Sequence, residues 1–288
     1  MIGSQSVDQI AGYQILSTLG HGASSTIYAV MDPRDQHVYA VKRVTRRTAS
    51  DERFIDQALN EHEVGRQVEH PVIRRSYKII RRRKMLKTAE LLMLMELVDG
   101  ATLEQHRPTS APKAIEVFKQ AAEGLQALHE TGFVHCDIKP NNIIVDDAGH
   151  VKIIDLGQSC PINTIKTRIQ GTPDYIAPEQ VLRQTITART DVFNLGATMY
   201  WCLTNRHVPT MIPRTAGEQI GRLERAEFQP PIDIKPGIPK ALNALVVSCL
   251  ETEPASRPTS MREVRDRLNI VLRQLSRGAN DQPHRLAR

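Results

Sequence analysis

The segment Phe133-Val134-His135-Cys136-Asp137-Ile138-Lys139-Pro140-Asn141-Asn142-Ile143-Ile144-Val145 constrains this chain more than any other. Polar residues alternate there within a strongly apolar context. Asp137, Lys139 and Asn142 can converge only on a loop of specific shape. A solvated loop has no need of Ile143-Ile144-Val145 directly after it. Ten residues on, Val151-Lys152-Ile153-Ile154-Asp155-Leu156-Gly157 puts an acid at the end of an apolar strand. A carboxylate and an amide oxygen on neighbouring loops, Asp155 and Asn142, make a hard-oxygen pair suited to Mg²⁺.

Upstream, the pattern is strand-like. Tyr13-Gln14-Ile15-Leu16, Thr26-Ile27-Tyr28-Ala29-Val30 and Val38-Tyr39-Ala40-Val41 are separated by Gly20-His21-Gly22 and by Asp32-Pro33-Arg34-Asp35, both turn chemistry. Glycines let a backbone approach phosphates and offer N–H groups to them, although a plain hairpin turn has the same composition. Lys42 closes the third strand. It either snorkels at a sheet edge or reaches into a cleft, where it needs an acidic partner. Glu61 lies nineteen residues on, in a helix expected over Asp51 to Val68 and ended before His70-Pro71. Two more strands follow, the second at Leu91 to Met95.

Beyond them the periodicity is helical. Ile115, Phe118, Ala122, Leu125 and Leu128 recur on one face, with Ser110 and Pro112 as start signals. Leu242, Leu245, Val246, Cys249 and Leu250 form a second face, and Val264, Leu268, Val271, Leu272 and Leu275 a third. Strands first and helices after predict an α+β chain, a small sheet lobe with one main helix and a larger helical lobe. A polar, frayed tail is expected from Ser276.

Composition excludes several classes. Met1 to Ile10 lacks a basic region followed by an apolar run, and the apolar-rich stretch Leu91 to Val98, broken by Glu96, is too short to span a bilayer. A cytoplasmic protein is the simplest expectation. Four cysteines, Cys136, Cys160, Cys202 and Cys249, form no C-x-x-C pair and fit neither a zinc site nor a disulfide framework. Structural roles are expected of them, with redox sensing by Cys136 or Cys160 as the alternative. The net charge of +6 is local. Eight basic residues (Arg74, Arg75, Lys78, Arg81, Arg82, Arg83, Lys84 and Lys87) lie together without an acid, and without them the chain would carry −2.

Taken in order, these motifs resemble the protein kinase family: a Gly-rich loop, V-A-I-K, a helix glutamate, H-R-D-x-K-x-x-N, D-F-G and A-P-E. The last is Ala177-Pro178-Glu179, preceded by Gly171-Thr172-Pro173-Asp174-Tyr175; Asp191 to Gly196 and Arg257-Pro258-Thr259 match later landmarks. The match covers roughly Tyr13 to Leu275. It implies a bilobal kinase-like domain over 13–275 (N-lobe about 13–97, C-lobe about 98–275), a lead over 1–12 and a tail over 276–288. It also implies ATP and Mg²⁺ as cofactors and protein substrates with Ser/Thr acceptors. Leu19, Gly20, Gly22 and Ser25 would cover the phosphates, and Lys42 would hold them and pair with Glu61. Asp137 would orient the substrate hydroxyl, and Lys139 would neutralise charge on the transferring group. Asn142 and Asp155 would bind Mg²⁺. Ile27, Ala40 and Ile144 would sandwich the adenine, with Met95 as gatekeeper and Glu96 to Val98 as hinge. Lys139 and Gly171-Thr172 resemble the serine/threonine branch, and Tyr-Gln-Ile-Leu at the start of a short chain resembles eukaryotic-like kinases of bacteria.

The chain departs from the family at five positions. Cys136 replaces the arginine that usually receives an activation-loop phosphate, so phosphorylation at Ser159, Thr164 or Thr167 is not expected to be required. Leu156 replaces phenylalanine, an apolar exchange. Gly65 stands where the family packs an apolar residue against Leu156, which predicts either a gap and a loosely held helix or repacking by Val64 or Val68. Asn141 and Thr102 replace acids that grip substrate arginines, which argues against an arginine-directed substrate. The Arg74–Lys87 patch is either a solvated edge or a docking site for an acidic partner. One interleaved aromatic, Tyr77, gives base stacking on nucleic acid little support. Rival functions are a pseudokinase scaffold and a small-molecule kinase of similar fold.

Overall fold

The computed structural model describes residues 8–84, 86–209 and 228–280. The chain divides into two compact units. One holds the residues before His70 together with Ile73–Asp99 and Asp155–Gly157; the other holds His70–Val72, Gly100–Ile154 and the residues from Gln158 on.

The first unit is a sheet with one helix. Its strands are β1 (Gln9–Ile10), β2 (Tyr13–His21), β3 (Ser25–Met31), β4 (Val38–Thr45), β5 (Ser76–Lys84) and β6 (Lys87–Glu96), and the helix, α1 (Glu52–Gly65), follows β4. The spatial order is β1-β2-β3-β4-β6-β5, antiparallel throughout. The apolar run in β6 is buried on both faces because its side chains alternate. Leu91, Met93 and Met95 join Ala40, Val44, Ile55 and Ala58 in one cluster. Leu92 and Leu94 join Ile10, Tyr13, Val30 and Val41 in another.

Three expectations need correction here. Part of the expected lead is structured: Ile10 pairs with Tyr13 across β1 and β2 and is buried. Residues 1–7 lie outside the described set. Helix α1 stops at Gly65, short of Val68 and well before the proline, at the poorest helix former available apart from proline. No gap opens at Gly65 either. A Cβ built there would meet Ser76 Cβ at 3.3 Å and Leu156 Cδ1 at 3.5 Å, so these two side chains close in on the position. Asn60 Nδ2 also donates to Gly157 O at 3.2 Å, tying the helix to the Leu156 turn.

The second unit is mainly helical. It opens with β7 (Ala101–Thr102) and α2 (Ala111–Glu130), continues through β8 (Phe133–Val134), β9 (Ile143–Val145), β10 (Val151–Ile153) and β11 (Cys160–Pro161), and then runs through α3 (Pro178–Val181), α4 (Ala188–Thr204), α5 (Pro231–Ile234), α6 (Lys240–Cys249) and α7 (Met261–Asn280). β10, β9 and β7 form one small sheet, and β11 pairs with β8 in another. Ser110 caps α2 by accepting from Lys113 N, and its five periodic apolar residues are all buried. Helix α4 is buried nearly all round from Thr190 to Thr204, which makes it the core helix of the unit.

Between its ends the unit is pinned by a charge pair with no solvent access to speak of. Arg257 donates to both oxygens of Glu179, at 2.8 and 2.9 Å, with side chains 0% and 2% exposed. Its remaining donors reach Glu251 O, Thr252 O and Arg189 O, so the guanidinium is fully satisfied. The tail expectation is also corrected. Helix α7 continues to Asn280, with Ser276 Oγ donating back to Leu272 O at 3.1 Å; residues 281–288 lie outside the described set.

A leucine at position 65 would have to displace Ser76 and Leu156. Gly65→Leu is therefore expected to lower unfolding free energy by about 1–3 kcal/mol, as overpacked cores do. Chemical denaturation beside the wild type reads this directly.

Candidate active site

In the first unit, the antiparallel register sets a row of side chains on one sheet face. Gly20 pairs with Ile27, Ile27 with Lys42, and Lys42 with Met93. Ala40 pairs with Met95 two residues along, on the same face. This is the face that carries α1 residues Ile55 and Ala58 in its apolar cluster. Lys42 therefore projects toward the helix, and its Nζ lies 2.6 Å from Glu61 Oε2. The other Glu61 oxygen is held by Arg74 Nη2. Glu61 is 3% exposed, so two cations compensate one buried carboxylate. Burial works against the Lys42 ammonium, but the carboxylates of Glu61 and Asp155 outweigh it and hold its pKa above the usual lysine value.

Asp155 follows β10 with φ +64°, a left-handed conformation uncommon outside glycine. Gly22 sits close against Ser25: a Cβ there would lie 2.7 Å from Ser25 Oγ and force that hydroxyl to turn. Its N–H donates to Ser25 O at 2.7 Å, closing the turn between β2 and β3. Gly20 and His21 belong to β2 itself, so the turn is shorter than the glycine spacing suggests. Leu19 is half exposed on β2, and Glu96 and Val98 are half-buried at and just past the end of β6.

In the second unit, the carboxylate of Asp137 is fixed from two directions. Its Oδ2 accepts from Lys139 Nζ at 2.8 Å. Its Oδ1 accepts from Thr172 N at 3.0 Å and Thr172 Oγ1 at 2.8 Å. Lys139 Nζ also reaches Thr172 Oγ1 at 2.8 Å, so the three residues form a closed set. Asn142 Nδ2 donates to Asp137 O at 2.8 Å, and Asn142 is buried. Ile144 pairs with Thr102 and Lys152 in the small sheet and is half-buried.

The backbone beneath Asp137 is held by Asp191, at the start of α4. Its Oδ2 accepts from His135 N at 2.8 Å and sits 2.8 Å from His129 Nε2; its Oδ1 accepts from Cys136 N at 2.8 Å. Gln180 Nε2 donates to Cys136 O at 2.8 Å. Cys136 itself has φ +67°, and these bonds secure that uncommon conformation. Asp191 is fully buried. Burial favours its neutral form, but the hydrogen bonds from His129 and from the His135 backbone, with the electrostatic pull of the two imidazoles, prevail, and its pKa lies below the usual carboxylate value. Gly171, φ +134°, is required where a side chain would press on Ile176 at 3.1 Å and Gln180 at 3.3 Å.

A family profile described as "Protein kinase domain" matches residues 13–268. The chain belongs to the protein kinase family. Its fold is the kinase fold, a β-rich part with one main helix and a helical part. Among relatives, this kinase is 27% identical over 267 residues to a probable serine/threonine-protein kinase of Clostridium acetobutylicum, covering 90% of this chain and 40% of that one. It is 29% identical over 262 residues to the serine/threonine-protein kinase PknB of Mycobacterium leprae, covering 88% and 42%. With PknD of Mycobacterium tuberculosis it shares 28% over 264 residues, covering 86% and 38%. The chain thus spans about two fifths of the length of these curated relatives. Among the described residues no helix is long and apolar enough to cross a membrane.

Three residues of this kinase were not assigned a role from sequence. Arg74 was counted in the basic patch, where a run of like charges hides the one member that turns inward. Thr172 and Asp191 were seen only as landmarks; their bonds to residues thirty-five and more positions away leave no local signal. The patch itself shrinks. Arg74 serves Glu61, Arg75 pairs with Glu69 at 2.8 Å, and Arg82 with Glu90 at 2.8 Å. Lys78, Arg81, Arg83, Lys84 and Lys87 remain exposed without an ion-pair partner among the described residues.

Asp191→Asn turns one acceptor into a donor facing another donor. It is expected to cost about 1–3 kcal/mol for each backbone N–H left unpaired. The wild-type carboxyl titrates lower in the folded chain than in the unfolded one, where it lies near ~3.9. Its contribution is therefore complete at neutral pH and drains away as pH falls from about 4 toward the folded value. Unfolding free energy measured against pH should show an acid limb that is shallower in the variant.

Proposed function

We propose that this kinase transfers the γ-phosphate of Mg-ATP to serine or threonine hydroxyls of proteins and also phosphorylates itself. The observation that carries the reading is the closed set of Asp137, Lys139 and Thr172. A carboxylate held at both oxygens is positioned to take or orient a hydroxyl proton. A lysine bonded beside it stabilises negative charge developing on the transferring group. The relatives are named serine/threonine-protein kinases, which supports the hydroxyl class.

Lys42, held charged by Glu61, binds the α- and β-phosphates in this reading. Gly20 and Gly22, with Leu19 and Ser25 beside them, lie over the phosphates. Ile27 and Ala40 on the shared sheet face contact the adenine with Ile144, Met95 gates the pocket, and Glu96 to Val98 meet the base edge. In this reading Asp155 would supply a carboxylate and Asn142 an amide oxygen, the hard-oxygen ligands that magnesium takes. Bound magnesium neutralises phosphate charge. The protein's own contribution is positioning. A cytoplasmic location is part of the same reading.

Activation is proposed not to require phosphate at Ser159, Thr164 or Thr167. The Cys136 side chain lies in an apolar cluster with Val134, Cys160 and Ile186, which offers a phosphate nothing to pair with. The deciding assay incubates the chain with Mg-ATP and generic protein and maps phosphosites by mass spectrometry. Wild type should label serine and threonine, before and after phosphatase treatment. Asp137→Asn should lose about 10²–10⁴ in rate, and Asp155→Ala should be inactive. Nucleotide binding without transfer would point instead to a scaffold, and labelling of a small molecule alone to the other rival.

The β5–β6 hairpin supports a second, smaller proposal: docking of an acidic protein partner by Lys78, Arg81, Arg83, Lys84 and Lys87. Phosphorylation of an acidic substrate should then weaken in KM several-fold between low and physiological salt, and charge reversal at Arg83 and Lys84 should abolish that salt dependence.

A further inference from the structure

All four cysteines are buried and free of disulfides. Cys202 and Cys249 sit apart in the helical core, and burial pushes each thiol up to about 12. Cys136 and Cys160 differ. Their sulfurs lie 3.5 Å apart, although twenty-four residues separate them in the chain.

The pairing of β8 with β11 brings them together. Cys160 stands opposite Val134 in antiparallel register, and Cys136 lies two residues past Val134, just beyond the end of β8. Both belong to the cluster completed by Val134 and Ile186. Cys136 is anchored through its own backbone by Asp191 and Gln180, so its sulfur has a fixed origin. The proposed phosphotransfer uses neither thiol.

We propose that Cys136 and Cys160 are a modification site, joined as a reversible disulfide by a hydroperoxide and restored by a dithiol. The Cys160 thiolate attacks one oxygen of hydrogen peroxide. The O–O bond breaks, hydroxide leaves and takes a proton to become water, and the sulfur is oxidised to a sulfenic acid. Cys136 then gives up its proton and attacks the Cys160 sulfur. The S–O bond breaks, a second water leaves, and the S–S bond forms. Two thiols and one peroxide become one disulfide and two waters. Closing the gap to a bonded distance of about 2.05 Å asks for a shift of roughly 1.5 Å, within reach of side-chain rotation and a small movement of the two-residue strand β11.

The order of attack follows from the surroundings. Cys160 is 7% exposed and Cys136 1%, so a small oxidant reaches Cys160 first. The hydrogen bond from Cys136 brings the Cys160 thiol down to about 7 against the effect of burial, with the Lys166 ammonium and the Thr164 hydroxyl assisting. The same bond and burial push Cys136 well up, so Cys160 is the thiol that supplies the first thiolate.

The test treats the folded full chain with stoichiometric hydrogen peroxide, then counts thiols in denaturant and maps peptides without reduction. Two of the four thiols should disappear, the mass should fall by about two units, and one cross-linked peptide should join Cys136 to Cys160. Dithiothreitol should restore all four. Cys160→Ser should form no intramolecular disulfide under the same treatment. Survival of all four thiols, oxygen added to single cysteines without a cross-link, or bonds involving Cys202 or Cys249 in the folded chain would overturn the proposal. Because the wild-type map is decisive alone, a variant that folds poorly does not blunt the test.

Discussion

A single buried carboxylate, Asp191, organises the loop that carries Asp137. It sits at the start of the most deeply buried helix, α4, and accepts from two consecutive backbone N–H groups, His135 and Cys136, while His129 bonds one of the same oxygens. A charge without solvent is costly unless its lone pairs find donors, and here two of the donors are backbone N–H groups of that loop. The loop's left-handed residue, Cys136, becomes tolerable because the groups on both sides of it are already bonded. Asp137 comes next in sequence, so its carboxylate starts from a fixed point. Lys139 and Thr172 need only complete the geometry.

The first unit uses the same device with a different donor set. Glu61 is buried, and Lys42 and Arg74 take one oxygen each. Lys42 alone could swing, since a single ion pair leaves a long side chain rotational freedom. With the second oxygen occupied by Arg74, the carboxylate cannot rotate away, and the lysine has one place to go. In both units a carboxylate held at two oxygens converts packing into orientation, which is what phosphoryl transfer asks of a protein.

How much of this could be read in advance depended on where the partners lie in sequence. The strand and helix periods gave β2 to β6 and the faces of α2, α6 and α7, because alternation and the 3.6 repeat are local. The Lys42–Glu61 pair was within reach, since an unpaired cation on an apolar strand demands an acid. Thr172 on Asp137, and Asp191 under His135 and Cys136, span thirty-five and more residues and follow from tertiary packing alone. Arg74 was hidden by its neighbours: in a run of eight basic residues nothing marks which one faces inward. Gly65 misled in the opposite sense. An absent side chain suggests a void, yet Ser76 and Leu156 come from other segments to take the space. The ends of α1 and α7 were displaced because helix termini are set by caps and packing more than by composition.

The exchange of an arginine for Cys136 shows what the loop does when a cation is removed from this position. An arginine there would need an anionic partner or solvent. A thiol needs neither, so the position collapses into an apolar cluster with Val134, Cys160 and Ile186. That cluster rests against the segment following β11 through the bonds of Asn163 N to Ile186 O and Ile186 N to Thr164 O, both 2.8 Å. The segment carrying Thr164 is thereby held by apolar packing and main-chain bonds, which act without any added charge. If activation needs no phosphate, as proposed, this packing is what orders the segment, and the two thiols lie face to face within the same cluster.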